Sequence, residues 1–142
     1  MPDIFSKHKR SEIMSKVRSK NTKPEEIVGK YLFSHGLRYR KNVKKLPGSP
    51  DLVLRKYKVV IFVNGCFWHG HDCKKGVLPN TNKVFWEEKI RKNKHRDTNN
   101  YQKLTDLGWR VLIVWECEIK NRELKESKLF ELVKTIKYDK MK

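Results

Sequence analysis

The chain is predicted to fold as one α/β domain with a central mixed sheet flanked by helices. Three observations predict it. A length of 142 residues with 37% apolar content suits one core and leaves little room for a second. Two β-branched runs, KVVIFV and WRVLIVWE, read as buried strands. Stretches with helical spacing lie between and after them, so strands and helices alternate.

Each element has its own signal. Residues 9–19 place Ile13, Met14 and Val17 at helical spacing among basic side chains, which predicts a short basic helix. Thr22-Lys23-Pro24-Glu25 has the form of a capping box with proline in the first turn; it opens a helix to about Ser34, and Gly36 can end it. LRYRKN, residues 37–42, alternates and suits an edge strand. LPGSPDLVLRKYKVVIFV reads as a turn, a strand from about Asp51, a tight reversal near Lys56–Lys58 and a buried strand from Val59. Residues 83–107 form a long polar helix closed by Gly108. WRVLIVWECE is a further strand, and residues 122–137 a final helix with Leu129, Phe130, Leu132, Val133 and Ile136. No repeat or linker divides the sequence, so residues 1–142 are expected to form one domain, with residues 1–20 as a basic arm.

Charge indicates the partner. A net charge of +18 opposes compaction by self-repulsion, and an anionic partner offsets it. Residues 1–45 hold thirteen Lys/Arg against four Asp/Glu, so half of the excess sits in a third of the chain. Nucleic acid is the expected partner, with binding that weakens strongly as salt rises. No run of 18 apolar residues is present to span a membrane, and MPDIFSKHKR lacks the apolar centre of a secretory signal. A reducing, cytoplasmic compartment is expected.

FVNGCFWHGHDC, residues 62–73, carries the densest chemistry. Three cysteines cannot all pair, and a reducing compartment favours metal ligation over disulfides. Cys66, Cys73, Cys117 and one of His69 or His71 supply the four ligands of a tetrahedral zinc. Three unrelated buried thiols are the alternative. Asp51 follows Pro50 at a strand start, where a carboxylate can hold magnesium against a phosphate, or simply make a turn. Glu25 lies in the first turn of the helix opened by Thr22, a second candidate carboxylate or only a cap for its own helix, and His69 can accept a proton or ligate zinc. Composition and spacing reach a basic, metal-clamped α/β domain and the suggestion of a nuclease.

LPGSPDLVL, VVIFVNGCFWHGHDC, FWEEKIRKNKHRD and LGWRVLIVWECE together resemble the very short patch repair DNA endonuclease family, from about Arg10 to Glu118. The resemblance implies a fold related to the type II restriction enzymes with the PD…(D/E)xK signature. It implies magnesium-dependent nicking of one strand of duplex DNA beside a thymine mispaired with guanine. Such mispairs arise by deamination of 5-methylcytosine, so a cytosine-5 DNA methyltransferase and mismatch-repair proteins are the implied partners. The implied setting is the bacterial cytoplasm at the nucleoid. Asp51 would bind magnesium, His69 would activate water, and Glu25 would support it. Cys66, His71, Cys73 and Cys117 would hold a structural zinc, within a zinc and intercalation loop spanning residues 66–80.

One position departs from the pattern. Some members have histidine where this chain has Asn64, which can hydrogen-bond but cannot shuttle a proton near neutral pH. By the same resemblance Phe67, Trp68 and Trp86 would intercalate beside the mispair, where a weakened step lowers the cost of kinking. For Trp86 packing against Ile90 is the alternative, and Trp109 and Trp115 are expected in the core. Lys16, Arg18 and Lys20 would follow the DNA backbone. Two other classes compete: a mismatch-binding protein that cleaves weakly, and a restriction or homing-type nuclease cutting paired DNA on both strands. A single-strand nick requires only a monomer.

Overall fold

The computed structural model describes residues 23–71, 73 and 77–138. The basic helix expected over residues 9–19, Thr22, and the backbone contacts expected of Lys16, Arg18 and Lys20 lie outside them. The elements in order are α1 (Lys23–Ser34), β1 (Arg40–Lys41), β2 (Leu52–Leu54), β3 (Val59–Asn64), α2 (Lys83–Asp106), β4 (Arg110–Trp115) and α3 (Arg122–Tyr138). This is the predicted order of helix, three strands, helix, strand, helix.

The strands make one mixed sheet, β1-β2-β3-β4. β1 pairs antiparallel with β2, and β2 with β3. β3 and β4 run parallel from Val59↔Arg110 to Asn64↔Trp115. A parallel pair needs a long crossover, and α2 is that crossover. The reversal between β2 and β3 is a 3-10 turn over Arg55–Tyr57 ended by Lys58 in the left-handed region at φ 54°.

Alternation along the strands divides the core in two. Leu52, Leu54, Val59, Ile61 and Val114 face α1 and α3, meeting Val28 and Leu32 of the first and Leu129, Leu132 and Ile136 of the second. Val53, Val60 and Phe62 face the other way, with Leu104 near the end of α2 and Trp109 beyond it. Phe130 of α3 is 63% exposed, because it falls on the solvent side of that helix.

Both helices that feed the site end in the same device. After α1, Gly36 takes φ 79°, its N–H bonds Phe33 O, and the Leu37 N–H bonds Leu32 O at 3.0 Å. After α2, Gly108 takes φ 93°, and the Trp109 N–H bonds Leu104 O at 3.0 Å. Each is a Schellman closure in which the residue after glycine packs back on the helix. Gly29 lets Tyr39 lie against α1, since an added Cβ would stand 2.6 Å from the Tyr39 hydroxyl.

Candidate active site and metal centre

The carboxyl end of β3 collects the chemistry. Asp51 sits just before β2, and the Val63 N–H donates to its Oδ2 at 2.7 Å. Glu25, buried on the first turn of α1, hydrogen-bonds Asp51 from the α1 side. Burial pushes the Asp51 carboxyl up to about 8; the hydrogen bond and the charge of Glu25 add to this, and the Val63 N–H opposes it. Two carboxylates forced together are stabilised by a shared proton or by a cation in its place. Such an oxygen pair fits a hard divalent ion.

The loop after β3 leads to His69, whose Nδ1 lies 2.5 Å from Asp97 Oδ2 on α2. With Nδ1–H donating to that carboxylate, Nε2 is left as a lone-pair acceptor, the tautomer that a proton-accepting base needs. Asp97 also lies 3.6 Å from the guanidinium of Arg96. One turn further along α2, Tyr101 accepts a hydrogen bond at 3.0 Å from Asn64 Nδ2. Asn64 is only 3% exposed, and Tyr101 lays its ring on Phe62 with centroids 5.0 Å apart. One turn before Asp97, Asn93 Nδ2 donates to Trp68 O at 2.9 Å. α2 therefore presents Asn93, Asp97 and Tyr101 as a polar stripe between the apolar anchors Ile90 and Leu104.

Cys66, His71, Cys73 and Cys117 bring four ligand atoms within 4.8 Å of one another. Cys117 Sγ faces His71 Nδ1 at 3.5 Å, so the expectation that His71 rather than His69 joins the cluster agrees with this geometry. Three thiols and an imidazole are a donor set that suits a tetrahedral soft metal. Burial pushes the Cys66 thiol up to about 12, and burial raises Cys117 as well. A metal must displace those protons when it binds. Cys117 itself lies in a 3-10 turn, Glu116–Glu118, just past β4. The Trp115 N–H donates to Glu118 Oε1 at 2.8 Å, closing the turn on the end of β4, and the Cys66 N–H donates to Glu116 Oε1 at 3.4 Å, tying the turn to the loop.

Trp109 is buried as expected, but Trp115 is not a core residue. It stacks on His71 at 4.1 Å and meets His69 edge-on at 6.3 Å, because as the last residue of β4 it stands at the end of the sheet, beside the metal-type cluster. Gly70 lets the loop pass close to α2: at φ 65°, an added Cβ would meet Ile90 Cγ2 at 2.6 Å. Phe67, Trp68 and Trp86 pack mutually edge-on, at 5.1, 5.3 and 5.9 Å, and are half-buried rather than fully exposed. Phe85, 59% exposed, continues this cluster to solvent at 5.2 Å from Trp86.

Asp97, Tyr101, Asn93 and the placement of Trp115 are what reading the sequence missed. The signal was present in α2, where Ile90, Asn93, Asp97, Tyr101 and Leu104 recur at helical spacing. Among the described residues no helix is long and apolar enough to cross a membrane.

A family model described as DNA mismatch endonuclease Vsr matches residues 2–75. Similar proteins include the type II nicking enzyme V.NmeAIP of Neisseria meningitidis, 53% identical over 137 residues, which cover 96% of this chain and 98% of that one. The type II nicking enzyme V.XorIIP of Xanthomonas oryzae pv. oryzae is 44% identical over 129 residues, 91% of this chain and 95% of that one. The DNA mismatch endonuclease Vsr of Escherichia coli K12 is 44% identical over 123 residues, 87% of this chain and 79% of that one. The chain therefore belongs to the DNA mismatch endonuclease Vsr family, a family of DNA-cleaving hydrolases.

Proposed function

We propose that this chain nicks one strand of duplex DNA beside a T:G mispair, on a restriction-endonuclease-like fold, with magnesium at the catalytic carboxylates and a structural zinc. The observation that carries this reading is the convergence of Asp51–Glu25 and His69–Asp97 on the carboxyl end of β3. The relatives, named as a mismatch endonuclease and nicking enzymes, support the substrate and the single-strand outcome.

Hydrolysis needs a proton acceptor for water and neutralisation of charge on the phosphoryl group. His69 Nε2 takes the proton as water oxygen bonds to phosphorus, while Asp97 holds the ring and stabilises the imidazolium. The bond from phosphorus to the sugar oxygen then breaks, and that oxygen takes its proton from solvent. Asp51 would hold magnesium, with Glu25 beside it; when bound, magnesium supplies positive charge against the phosphoryl oxygens. Cys66, His71, Cys73 and Cys117 would hold zinc in a structural role, and these four residues would tie the loop bearing His69 to the turn bearing Cys117. Phe67, Trp68 and Trp86 form the wedge that enters the stack, where a mispair has already lowered the unstacking cost.

The test is a strand-resolved cleavage assay with magnesium on duplexes differing only in T:G against T:A, over several flanking contexts and beside 5-methylcytosine sites. A nick confined to the thymine strand of T:G supports the reading. Cutting of both strands of T:A would replace it with a restriction-type activity.

A further inference from the structure

We propose that the Tyr101 hydroxyl is a further catalytic group, donating its proton in a hydrogen bond to a non-bridging oxygen of the scissile phosphate, and that Asn64 is the residue that positions it. The inference rests on the nicking reading above and adds a donor to it.

The geometry starts from the hydrogen bond between Asn64 Nδ2 and Tyr101 Oη at 3.0 Å. An amide nitrogen can only donate, so the phenol must accept there and its own proton points elsewhere. Among the described residues Asn64 is its hydrogen-bond partner, in a bond that does not use the phenol proton. The ring is pinned on Phe62 at 5.0 Å, and Asn64 is buried at the last position of β3, so neither partner swings freely. Asp97 lies one helical turn away on the same face of α2 and holds His69.

Burial raises the pKa of the phenol; the Asn64 hydrogen bond opposes this, and the charges of Asp97 and Asp51 add to it. Tyr101 therefore lies within electrostatic reach of both the carboxylate that would bind the metal and the Asp97 that holds His69, on the helix face that would meet a phosphodiester held by both. A neutral phenol stays protonated there and adds a fixed dipole toward developing phosphoryl charge. Asn64 fills the place of a histidine in some members of the family, and its amide orients a donor instead of moving a proton.

Single-turnover nicking of a T:G duplex under saturating protein tests this. Tyr101→Phe keeps the ring and its contact with Phe62. It is expected to slow the chemical step on the order of a hundredfold, with duplex affinity unchanged. Asn64→Leu removes the amide at similar volume, and is expected to slow nicking by itself but to add nothing in the Tyr101→Phe background. Sulfur at the contacted non-bridging oxygen slows the wild type more than Tyr101→Phe, a signature that a packing role would not produce.

A Tyr101→Phe rate within about threefold of wild type overturns the inference. Multiplying effects of the two substitutions, or identical sulfur effects, would overturn it as well. A folded wild type that nicks no T:G duplex overturns the nicking reading first, and this inference with it.

Discussion

The two faces of the sheet are built differently. Under α1 and α3 the sheet meets a closed apolar core, from Val28 and Leu32 through Ile61 to Ile136. Under α2 the apolar contacts are fewer, with Val53, Val60, Phe62, Leu104 and Trp109 at one end. At the other end the same helix turns polar and holds Trp68, His69 and Asn64 through Asn93, Asp97 and Tyr101. One face stabilises and the other positions. Because a sheet alternates its side chains, both jobs are done by neighbouring residues of one strand: Ile61 belongs to the first and Asn64 to the second. Asp51 is met by Glu25 from the first side, and its charge reaches Tyr101 on the second, so the candidate catalytic carboxylate is close to both.

The largest effect is expected where a single change reaches both faces. Cys117→Ser removes one of four ligands from the cluster that ties the loop after β3 to the end of β4. It is expected to destabilise the fold by about 5 kcal/mol or more, the scale of a structural metal. A metal-free Cys117→Ser protein with unchanged chemical denaturation would show that the cluster is not structural.

Asp51→Ala should leave the fold intact and abolish nicking, by at least ~10⁴-fold, while T:G duplex binding persists. Persistent nicking would move the metal site away from the Glu25 pair.

A paired comparison then separates the faces. Asp97→Asn is expected to lower nicking by roughly a thousandfold, because it no longer favours the His69 tautomer with Nε2 free, and to leave the melting temperature nearly unchanged. Ile61→Ala is expected to cost about 3 kcal/mol of stability and to leave the rate of the folded protein unchanged. Reversed outcomes, read by thermal denaturation and single-turnover kinetics, would break the division of labour.

The smallest effect is one of pH. Asp51 is raised from 3.8 to about 8 in the fold, so between those values the folded state binds the proton that the unfolded state has released. Stability of the metal-free protein should therefore be fullest below the ordinary carboxylate range and fall as pH rises toward 8, then level off. Magnesium replaces the proton, so it should stabilise more at high pH, and Asp51→Asn should flatten the profile. Denaturation midpoints across pH 4–9, with and without magnesium, read both. A metal-free stability that rises over that range would contradict the carboxylate pair.

Much of the site was legible without coordinates, since its signals are local. Cys66, His71 and Cys73 fall within eight residues, Asp51 follows a Gly-Ser-Pro turn, and the polar helix stops at its glycine. The burial of β3 was readable because it is apolar from Val59 through Val63, as a strand covered on both faces requires. Trp115 was misread, since an aromatic in a strand looks like core until the end of the sheet is known.

The sequence by itself determined the order of helices and strands, the mixed sheet, the metal-type residues and Asp51. Most of these follow from spacing within one element or one loop, whereas Cys117 lies in the turn past β4 and meets the loop only through the pairing of β3 with β4. Only the tertiary structure decided the partners: Glu25 for Asp51, Asp97 for His69, Tyr101 for Asn64. His69 and Asp97 stand 28 residues apart, and Asn64 and Tyr101 stand 37 apart. Which turn of α2 faces which residue of β3 depends on how the helix docks. That docking is set by Ile90 against Gly70 at one end and by Leu104 with Trp109 at the other. A periodic pattern names the face of a helix, and the packing of its ends selects what that face touches.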